Sequence, residues 1–385
     1  MGGSQLNAIE AAAAVRDRGH EVTITAPTGE LVTVIEELGL PFVPTPVKSY
    51  YPSARTAGHL MELTRRLHVD VIHAYEWRPS IEAAFGTHLR NGTPVVMTVL
   101  SMEVMTSLPR HIPLFVGTHQ LADSAVRRAN AMVMEPPIDV RKNAVRDVAK
   151  ARRRWGFTED ELVISVVCRL ALEHEKLEGV LQAVAVAGDL AERLPVRMLI
   201  VGDGEGRADV ERAAEVVNRR LGREVIIVTG SLSDPRDAYE AADVVFGMGS
   251  SALKGLAFSK PLVVQGKRGF WKLFDPQTSS LFLYQGWFGD GGGGAAELKA
   301  ILEPLLHDAA KRLELGQLGR HLAEERYNLD RAAERLIDVY ADTIANPAPL
   351  ASWLPSLGSS VVEEAKFRLV MGMASARRAF SRALP

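Results

Sequence analysis

A glycine-rich turn is the clearest candidate for chemistry in this sequence of 385 residues. It reads FGMGSSALKG, follows the apolar run ADVV and leads into an apolar segment typical of a helix. Backbone N–H groups at the start of a helix, together with the helix dipole, attract anions, and glycines let a phosphate approach the main chain. Gly247, Gly249, Ser250 and Ser251 therefore predict one side of a phosphate site.

Two cations follow another predicted strand, LVISVVCRL, in the segment RLALEHEK. Arg169 and Lys176 can neutralise a diphosphate without a metal. In open α/β sheets the ligand site lies beyond the carboxyl ends of the strands, so we expect both cations beside the glycine-rich turn. Two more loops reach the same edge, with Gly202 and Gly204 in IVGDGEGR and Thr229 in VTGSLSD.

The first part of the chain adds its own candidates. HAYEWRPS places His73 and Glu76 after a predicted strand, and Gly2 and Gly3 precede the first predicted helix. His73 ends its strand on the edge where ligands bind, which makes it a candidate catalytic residue. The alternative for this histidine is a structural or surface role.

Strands and helices alternate along almost the whole chain, which is typical of doubly wound parallel sheets. A pair of prolines at 136–137 predicts the boundary between two such domains, 1–135 and 136–350. The strands are predicted in two series, at 21–26, 69–74, 94–100 and 130–135, and then at 162–170, 196–204, 224–230, 242–249 and 261–266.

Three other segments differ from this pattern. GWFGDGGGG at 286–294 predicts a flexible loop, and the basic stretch 141–154 predicts a solvated helix. The tail 351–385 is basic and partly amphipathic. Its helix either packs back on the body or lies on a membrane surface, and packing is favoured because Gly372 interrupts a modest apolar face.

Composition excludes several classes of protein. A formal net charge of −2 gives no general attraction to nucleic acid. The one cysteine, Cys168, cannot form an intramolecular disulfide and favours the cytoplasm. We expect no secretory signal, and the sequence given contains no apolar run long enough to span a membrane and no Walker loop. Histidines and acids lack metal-ligand spacing, so we expect no metal and no cofactor.

In this order the motifs resemble those of the family 4 retaining glycosyltransferases of the GT-B fold, over about residues 2 to 345. The matching segments include GGSQLNAIEAAAAVRDRGHEVTI, DVIHAYEW, EPPID, CRLALEHEK, IVGDGEGR and FGMGSSALKGLAFSKPLVV. The resemblance implies two Rossmann-like domains facing across a cleft. It also implies a nucleotide-sugar donor held by the second domain and a small-molecule or glycan acceptor entering on the side of the first.

The resemblance also assigns roles to individual residues. It implies that Arg169 and Lys176 bind the donor diphosphate and that Gly2 and Gly3 form the family's Gly-Gly loop. With Glu76, the two glycines are predicted on the acceptor side.

The sequence departs from the family pattern at three places. Family members have a strand before the Gly-Gly pair, so the first strand of the first domain is expected to be missing. Two glutamates separated by seven residues, which contact the sugar and the ribose, are replaced by Phe246 and Lys254. Leu100 replaces a histidine near the catalytic centre, leaving His73, His111 and His119 as candidates, of which His73 is preferred.

The sequence therefore predicts a bacterial hexosyl-type transferase that retains the anomeric configuration. A catalytically impaired relative that acts as partner or regulator of another glycosyltransferase is the alternative, because three site residues are replaced. A nucleotide-sugar enzyme of another class, such as a 2-epimerase, is a third hypothesis.

Overall fold

The computed structural model describes residues 3–46, 53–125, 131–172 and 175–382, with side chains through residue 370. The chain forms two compact units. The first contains Met1–Pro136 and Asp330–Pro385, and the second contains Pro137–Leu329. The second unit therefore ends about twenty residues before the predicted limit of 350, and the tail from 351 belongs to the first unit.

The described strands form three parallel or largely parallel sheets. In the first unit β1 pairs with β2, and a separate sheet has the order β3-β4-β5-β6; the second unit has one sheet of order β12-β11-β10-β7-β8-β9. Of the described strands, only β12 runs antiparallel to its neighbour. The strands are β1 Ile24–Ala26, β2 Phe42–Pro44, β3 Ile72–Tyr75, β4 Val95–Val99, β5 Leu114–Val116, β6 Ala131–Val133, β7 Leu162–Val167, β8 Val196–Val201, β9 Ile226–Gly230, β10 Val244–Gly247, β11 Leu262–Gln265 and β12 Trp271–Leu273.

Helices connect these strands, and several begin at residues whose side chains cap them. Ser53, Thr118, Asp147 and Asp308 each accept a hydrogen bond from a backbone N–H three residues later. The helices are α1 Gly3–Arg16, α2 Val32–Glu37, α3 Ala54–Arg66, α4 Trp77–Ala83, the π-helix Ala84–His88, α5 Leu89–Asn91, α6 His119–Ser124, α7 Val148–Arg154, α8 Lys176–Leu190, α9 Arg207–Leu221, α10 Arg236–Ala241, α11 Ser250–Ala257, α12 Ser279–Gln285, α13 Ala295–His307, α14 Ala309–Arg326, α15 Leu329–Ala345 and α16 Leu350–Arg382.

The core of the second unit lies on both faces of its sheet. Strands β10 and β11 are buried along their whole length, as are all but one residue of β8. Continuous apolar runs such as VVFG and LVVQ suit strands that are covered on both sides by helices. The helices α8, α9 and α13 supply much of the cover, through residues such as Val180, Val210 and Leu298.

All nine predicted strands are present in shortened form, although Asn130 of one predicted range lies outside the described residues. Three strands were missed: β2, β5 and β12, each with three residues. Runs this short contain too few positions for a periodic pattern to distinguish them from loops.

One local prediction is wrong, and a second is confirmed only in part, because six of the seven Lys and Arg residues at 141–154 are exposed as predicted. The 286–294 segment is packed rather than loose: Trp287 is buried, and the amides of Gly291, Gly292 and Gly294 donate to carbonyls at 267–269. The basic stretch is helical only from 148. Within that helix Arg152 is buried, because its guanidinium pairs with Asp243 at 2.6 Å.

Within the described ranges, no helix is both long and apolar enough to cross a bilayer.

Candidate functional site

The carboxyl edge of the second unit's sheet gathers the predicted cations. Arg169 comes two residues after β7 and is exposed. Lys176 is the first residue of α8. Its backbone carbonyl accepts a hydrogen bond of 2.9 Å from Gln265 at the end of β11. Since β10 lies between β7 and β11, the two cations are held at the edge where β10 enters the glycine-rich turn.

The glycine-rich turn is short and rigidly bonded. Strand β10 ends at Gly247 and α11 begins at Ser250. Gly249 has a φ of +60°, a conformation that favours glycine. A side chain at Gly247 would place its Cβ 2.7 Å from the backbone of Ala252, and the Ser251 hydroxyl donates to the Met248 carbonyl at 3.1 Å. The sequence therefore folds here into a tight strand–turn–helix, as predicted.

One amide of this turn already has a partner. The Gly249 N–H donates to the Trp287 carbonyl at 2.7 Å. The expectation that the amides from Gly249 to Ser251 all face a phosphate is therefore wrong for the first of them, and Ser250 and Ser251 remain candidates. Trp287 was missed because it lies in the run interpreted as flexible. The large aromatic side chain within that run was the available signal.

The glycines of the IVGDGEGR loop position their neighbours. A Cβ at Gly202 would lie 1.8 Å from the Cys168 carbonyl oxygen, and one at Gly204 would lie 2.5 Å from that of Leu170. The Leu170 N–H also donates to the Asp203 carbonyl at 2.9 Å. These contacts fasten the loop after β8 to the loop that carries Arg169, so both glycines are required for close packing of the two loops.

Thr229 and Cys168 complete this edge. Thr229 lies near the end of β9, which is separated from β10 by two strands, and its hydroxyl donates to the Gly230 carbonyl at 2.9 Å.

Burial raises the pKa of the Cys168 thiol to about 11, and the nearby charge of Lys176 only partly opposes this shift. The thiol is therefore protonated near neutral pH and is a poor nucleophile.

The residues at the two glutamate positions have different surroundings. Phe246 is fully buried in β10, with its ring edge against Trp271 at 5.2 Å between centroids. It therefore belongs to the core and contacts no ligand. Lys254 is half-buried on α11, and within the described ranges no carboxylate lies within ion-pair distance of its ammonium.

In the first unit, His73 lies in a polar network. One ring nitrogen is 2.6 Å from the Tyr340 hydroxyl and the other is 2.7 Å from the Thr98 hydroxyl. Burial lowers the pKa of His73 to about 3, so the imidazole is neutral at physiological pH. Since both nitrogens already have partners, the geometry favours the structural alternative for this histidine.

Glu76 joins three segments of the first unit. Its Oε1 accepts from the Ser4 hydroxyl at 2.5 Å and from the Leu100 N–H at 3.1 Å, and its Oε2 accepts from Ser101. Its φ of +70° is unusual for a residue with a side chain. The carboxylate thus holds the start of α1, which includes Gly3, against the end of β4. Gly2 lies outside the described residues.

The described part of the chain contains no group of three or more His, Cys, Asp or Glu side chains arranged to hold a metal ion.

Comparison with known proteins agrees with the motifs. Residues 1–155 match the family model described as Glycosyltransferase Family 4. The predicted resemblance to this family is confirmed. No curated protein matches the chain significantly.

Solved structures extend the comparison to both units. A glycosyltransferase from Rickettsia africae aligns with a TM-score of 0.70 at 15% identity, covering 90% of this chain and 96% of that one. HepE of Anabaena, solved with UDP and glucose, aligns with a TM-score of 0.68 at 16% identity, over 89% and 96% of the two chains. Sucrose-phosphate synthase of Thermosynechococcus elongatus gives 0.67 at 16% identity, over 89% and 94%. Identities this low establish the fold alone, and that fold is the predicted GT-B α/β fold with two Rossmann-like units.

Proposed function

We propose that this protein transfers a hexosyl group from a nucleotide diphosphate sugar to a hydroxyl acceptor, with retention of configuration and without a metal. The observation that carries the proposal is the arrangement at the carboxyl edge of the second unit's sheet. Arg169 and Lys176 lie in the connection after β7, and α11 begins after the neighbouring strand β10. Two cations beside a helix N-terminus suit a diphosphate, and HepE was solved with UDP-glucose.

The proposed reaction takes place on one face of the sugar. The bond between the anomeric carbon and the diphosphate oxygen breaks while the acceptor oxygen bonds to the same face of that carbon. The acceptor proton passes to an oxygen of the leaving diphosphate. Arg169, Lys176 and the amides of Ser250 and Ser251 stabilise the charge that develops there, and this electrostatic effect is the main catalytic contribution.

The other proposed contacts come from both units. Gly202, Gly204 and Thr229 shape the donor side, and Gly3 and Glu76 belong to the acceptor side in the first unit. The lone cysteine favours a reducing compartment such as the cytoplasm. We assign no proton transfer to His73, because its ring nitrogens are bonded to Tyr340 and Thr98.

The second candidate function is a catalytically impaired partner of another glycosyltransferase. Two observations favour it. At the first glutamate position Phe246 is buried in the core, and at the second position Lys254 replaces the glutamate. A glutamate accepts hydrogen bonds from two vicinal ribose hydroxyls, whereas an ammonium group only donates. The difference corresponds to about 1.5–3 kcal/mol, or at least a tenfold loss of donor affinity.

Donor binding and turnover test the proposal together. We expect one of UDP-, GDP- or dTDP-glucose to raise the melting temperature of the protein and to be hydrolysed slowly. Arg169→Ala should abolish both effects and leave the unliganded melting temperature unchanged. Arg219→Ala is the matched control, because that arginine is exposed on α9 and pairs with Glu215. Equal activity of Arg169→Ala and the control would refute the mechanism.

Lys254→Glu distinguishes the two candidate functions. If Lys254 weakens donor binding relative to a glutamate, Lys254→Glu should bind the donor at least tenfold more tightly. If wild type and variant both fail to bind or hydrolyse all three sugar nucleotides, the partner function is supported and the transferase is excluded for these donors.

A further inference from the structure

Helix α16 packs against the first unit through one face. Trp353 and Leu357 are buried in that unit's core, with the Trp353 ring stacked on His88 at 4.0 Å between centroids. The Ser356 hydroxyl accepts from the Arg110 N–H at 2.7 Å. Further along, the Phe367 ring meets Trp77 edge-on at 5.0 Å. These contacts fix which side of the helix faces the body.

The adjoining face is apolar and exposed. Leu350, Leu354 and Leu369 are 73%, 77% and 68% exposed. At about 100° per residue, these leucines and Val361 fall within an arc of roughly 100°. Six of the fifteen exposed large apolar side chains in the described residues lie on this one helix, the other two being Val362 and Val370. Such a concentration marks an interaction surface.

The charges of the segment are placed unevenly. Lys366 and Arg368 pair with Glu363 and Glu364, at 2.8 and 3.0 Å. Both glutamates are less exposed than the cations and lie toward the body, where Glu363 also accepts from the Thr106 hydroxyl. The sequence from 371 to 385 then has three arginines, 377, 378 and 382, and no acid. The tail therefore carries a net positive charge that nothing within it neutralises.

We propose that the exposed face of α16 docks on an anionic lipid surface, with the helix lying in the plane of the interface. An apolar stripe on a helix followed by a cluster of arginines is the pattern that binds acidic headgroups. A second copy of the chain would cover the same leucines but would add a second basic tail, whereas lipid phosphates neutralise the tail. This surface is independent of donor binding by the second unit.

Vesicle sedimentation of the full-length protein tests this surface. We expect binding to vesicles of equal phosphatidylcholine and phosphatidylglycerol, and at least tenfold weaker binding to phosphatidylcholine alone. Because the tail charge contributes, 0.5 M salt should also weaken binding. Leu354→Glu should reduce binding at least tenfold, and so should the double change Arg377→Glu with Arg378→Glu.

Leu313→Glu is the matched control. Leu313 is 64% exposed on α14 in the second unit, so the same charge is introduced on another helix. Melting temperatures show whether each variant is folded. The proposal is overturned if the wild type ignores acidic vesicles, or if Leu354→Glu binds them as well as Leu313→Glu does. It is equally overturned if wild type forms a dimer that Leu354→Glu dissociates, without any vesicle binding, because the occupant is then a second copy.

Discussion

The sheets of the two units differ in continuity. The second unit has one six-stranded sheet whose central strands are buried, whereas the described residues of the first unit form a four-stranded sheet and a separate pair, β1 and β2. All three residues of β1 and three of the four in β3 are only half-buried. Parallel strands are normally covered on both faces and paired on both edges when they are central. In the first unit, full burial is confined among the described strands to β4 and β5, so the pair β1 and β2 contributes less to stability than the central strands of the second unit.

In the first unit, hydrogen bonds of polar side chains connect elements, as the pairing of strands does in the second unit. His73 bridges Tyr340 of α15 and Thr98 of β4, and Glu76 bridges Ser4 of α1 and the end of β4. Similar α/β sequence patterns can thus be stabilised in different ways in the two units. Both units have an apolar core, and in the first unit polar contacts of His73 and Glu76 join elements that its sheets do not join.

The greatest change in stability is expected from removing a buried apolar side chain in the second unit. Phe246→Ala removes a fully buried ring from β10 and should lower the free energy of unfolding by about 3–5 kcal/mol. The matched change Phe42→Ala, at a half-buried ring in β2, should cost only about 1 kcal/mol. Urea denaturation followed by fluorescence measures both. Equal losses would contradict the proposed difference between the sheets.

A change in pH is expected to have an intermediate effect on the free energy of unfolding. Burial lowers the pKa of His73 from 6.5 to about 3, so the unfolded chain binds a proton in this range that the folded chain does not. The contribution of His73 to the free energy of unfolding should therefore be constant above pH 6.5 and fall by about 1.4 kcal/mol per pH unit as the pH drops toward 3.

Variants assign this pH dependence to one residue. His73→Gln should reduce the slope of the unfolding free energy between pH 6.5 and 4.5, even if it lowers stability at every pH. His321→Gln, at a histidine that is 70% exposed on α14, should leave that slope unchanged. An unaltered slope in His73→Gln would show that other groups cause the acid sensitivity.

The smallest effect concerns the link between α1 and β4. Glu76→Gln keeps the shape of the side chain but removes the charge that strengthens its hydrogen bonds, and should cost about 1–2 kcal/mol. Amide hydrogen exchange should rise in the first turn of α1. Glu314→Gln, on the surface of α14, is the control and should change neither quantity. Unchanged exchange near Ser4 would mean that Glu76 does not hold α1.

Much of the fold could be predicted from the sequence. Runs such as LVISVV, VRMLIV and PLVV are apolar, β-branched and separated by helical segments, so periodicity identified all nine strands in the two series. The strands β2, β5 and β12 could not be found, because three residues such as Phe42–Pro44 acquire strand geometry only from a neighbouring strand. The assignment of α15 and α16 to the first unit also depends on contacts across more than 200 residues, such as that between Tyr340 and His73.

The candidate site, too, could be predicted only in part from the sequence. Residue type and position after a strand were enough to select Arg169, Lys176 and the GMGSS turn. The role of Trp287 could not be foreseen, because its carbonyl reaches the Gly249 amide through a loop fold that no local pattern specifies. His73 was a reasonable catalytic candidate by position, but its partners come from two distant elements.

The amino-acid sequence was enough to predict the alternating α/β elements, the glycines required at tight turns, the cations after β7 and the resemblance to family 4. These follow from local backbone preferences and from the order of residues along the chain. Three features became visible only in the folded chain. Phe246 belongs to the core, the Gly249 amide is already bonded, and α16 packs one apolar face on the body and leaves another exposed. Burial and hydrogen-bond partners are properties of the packed chain, because both depend on which distant elements meet.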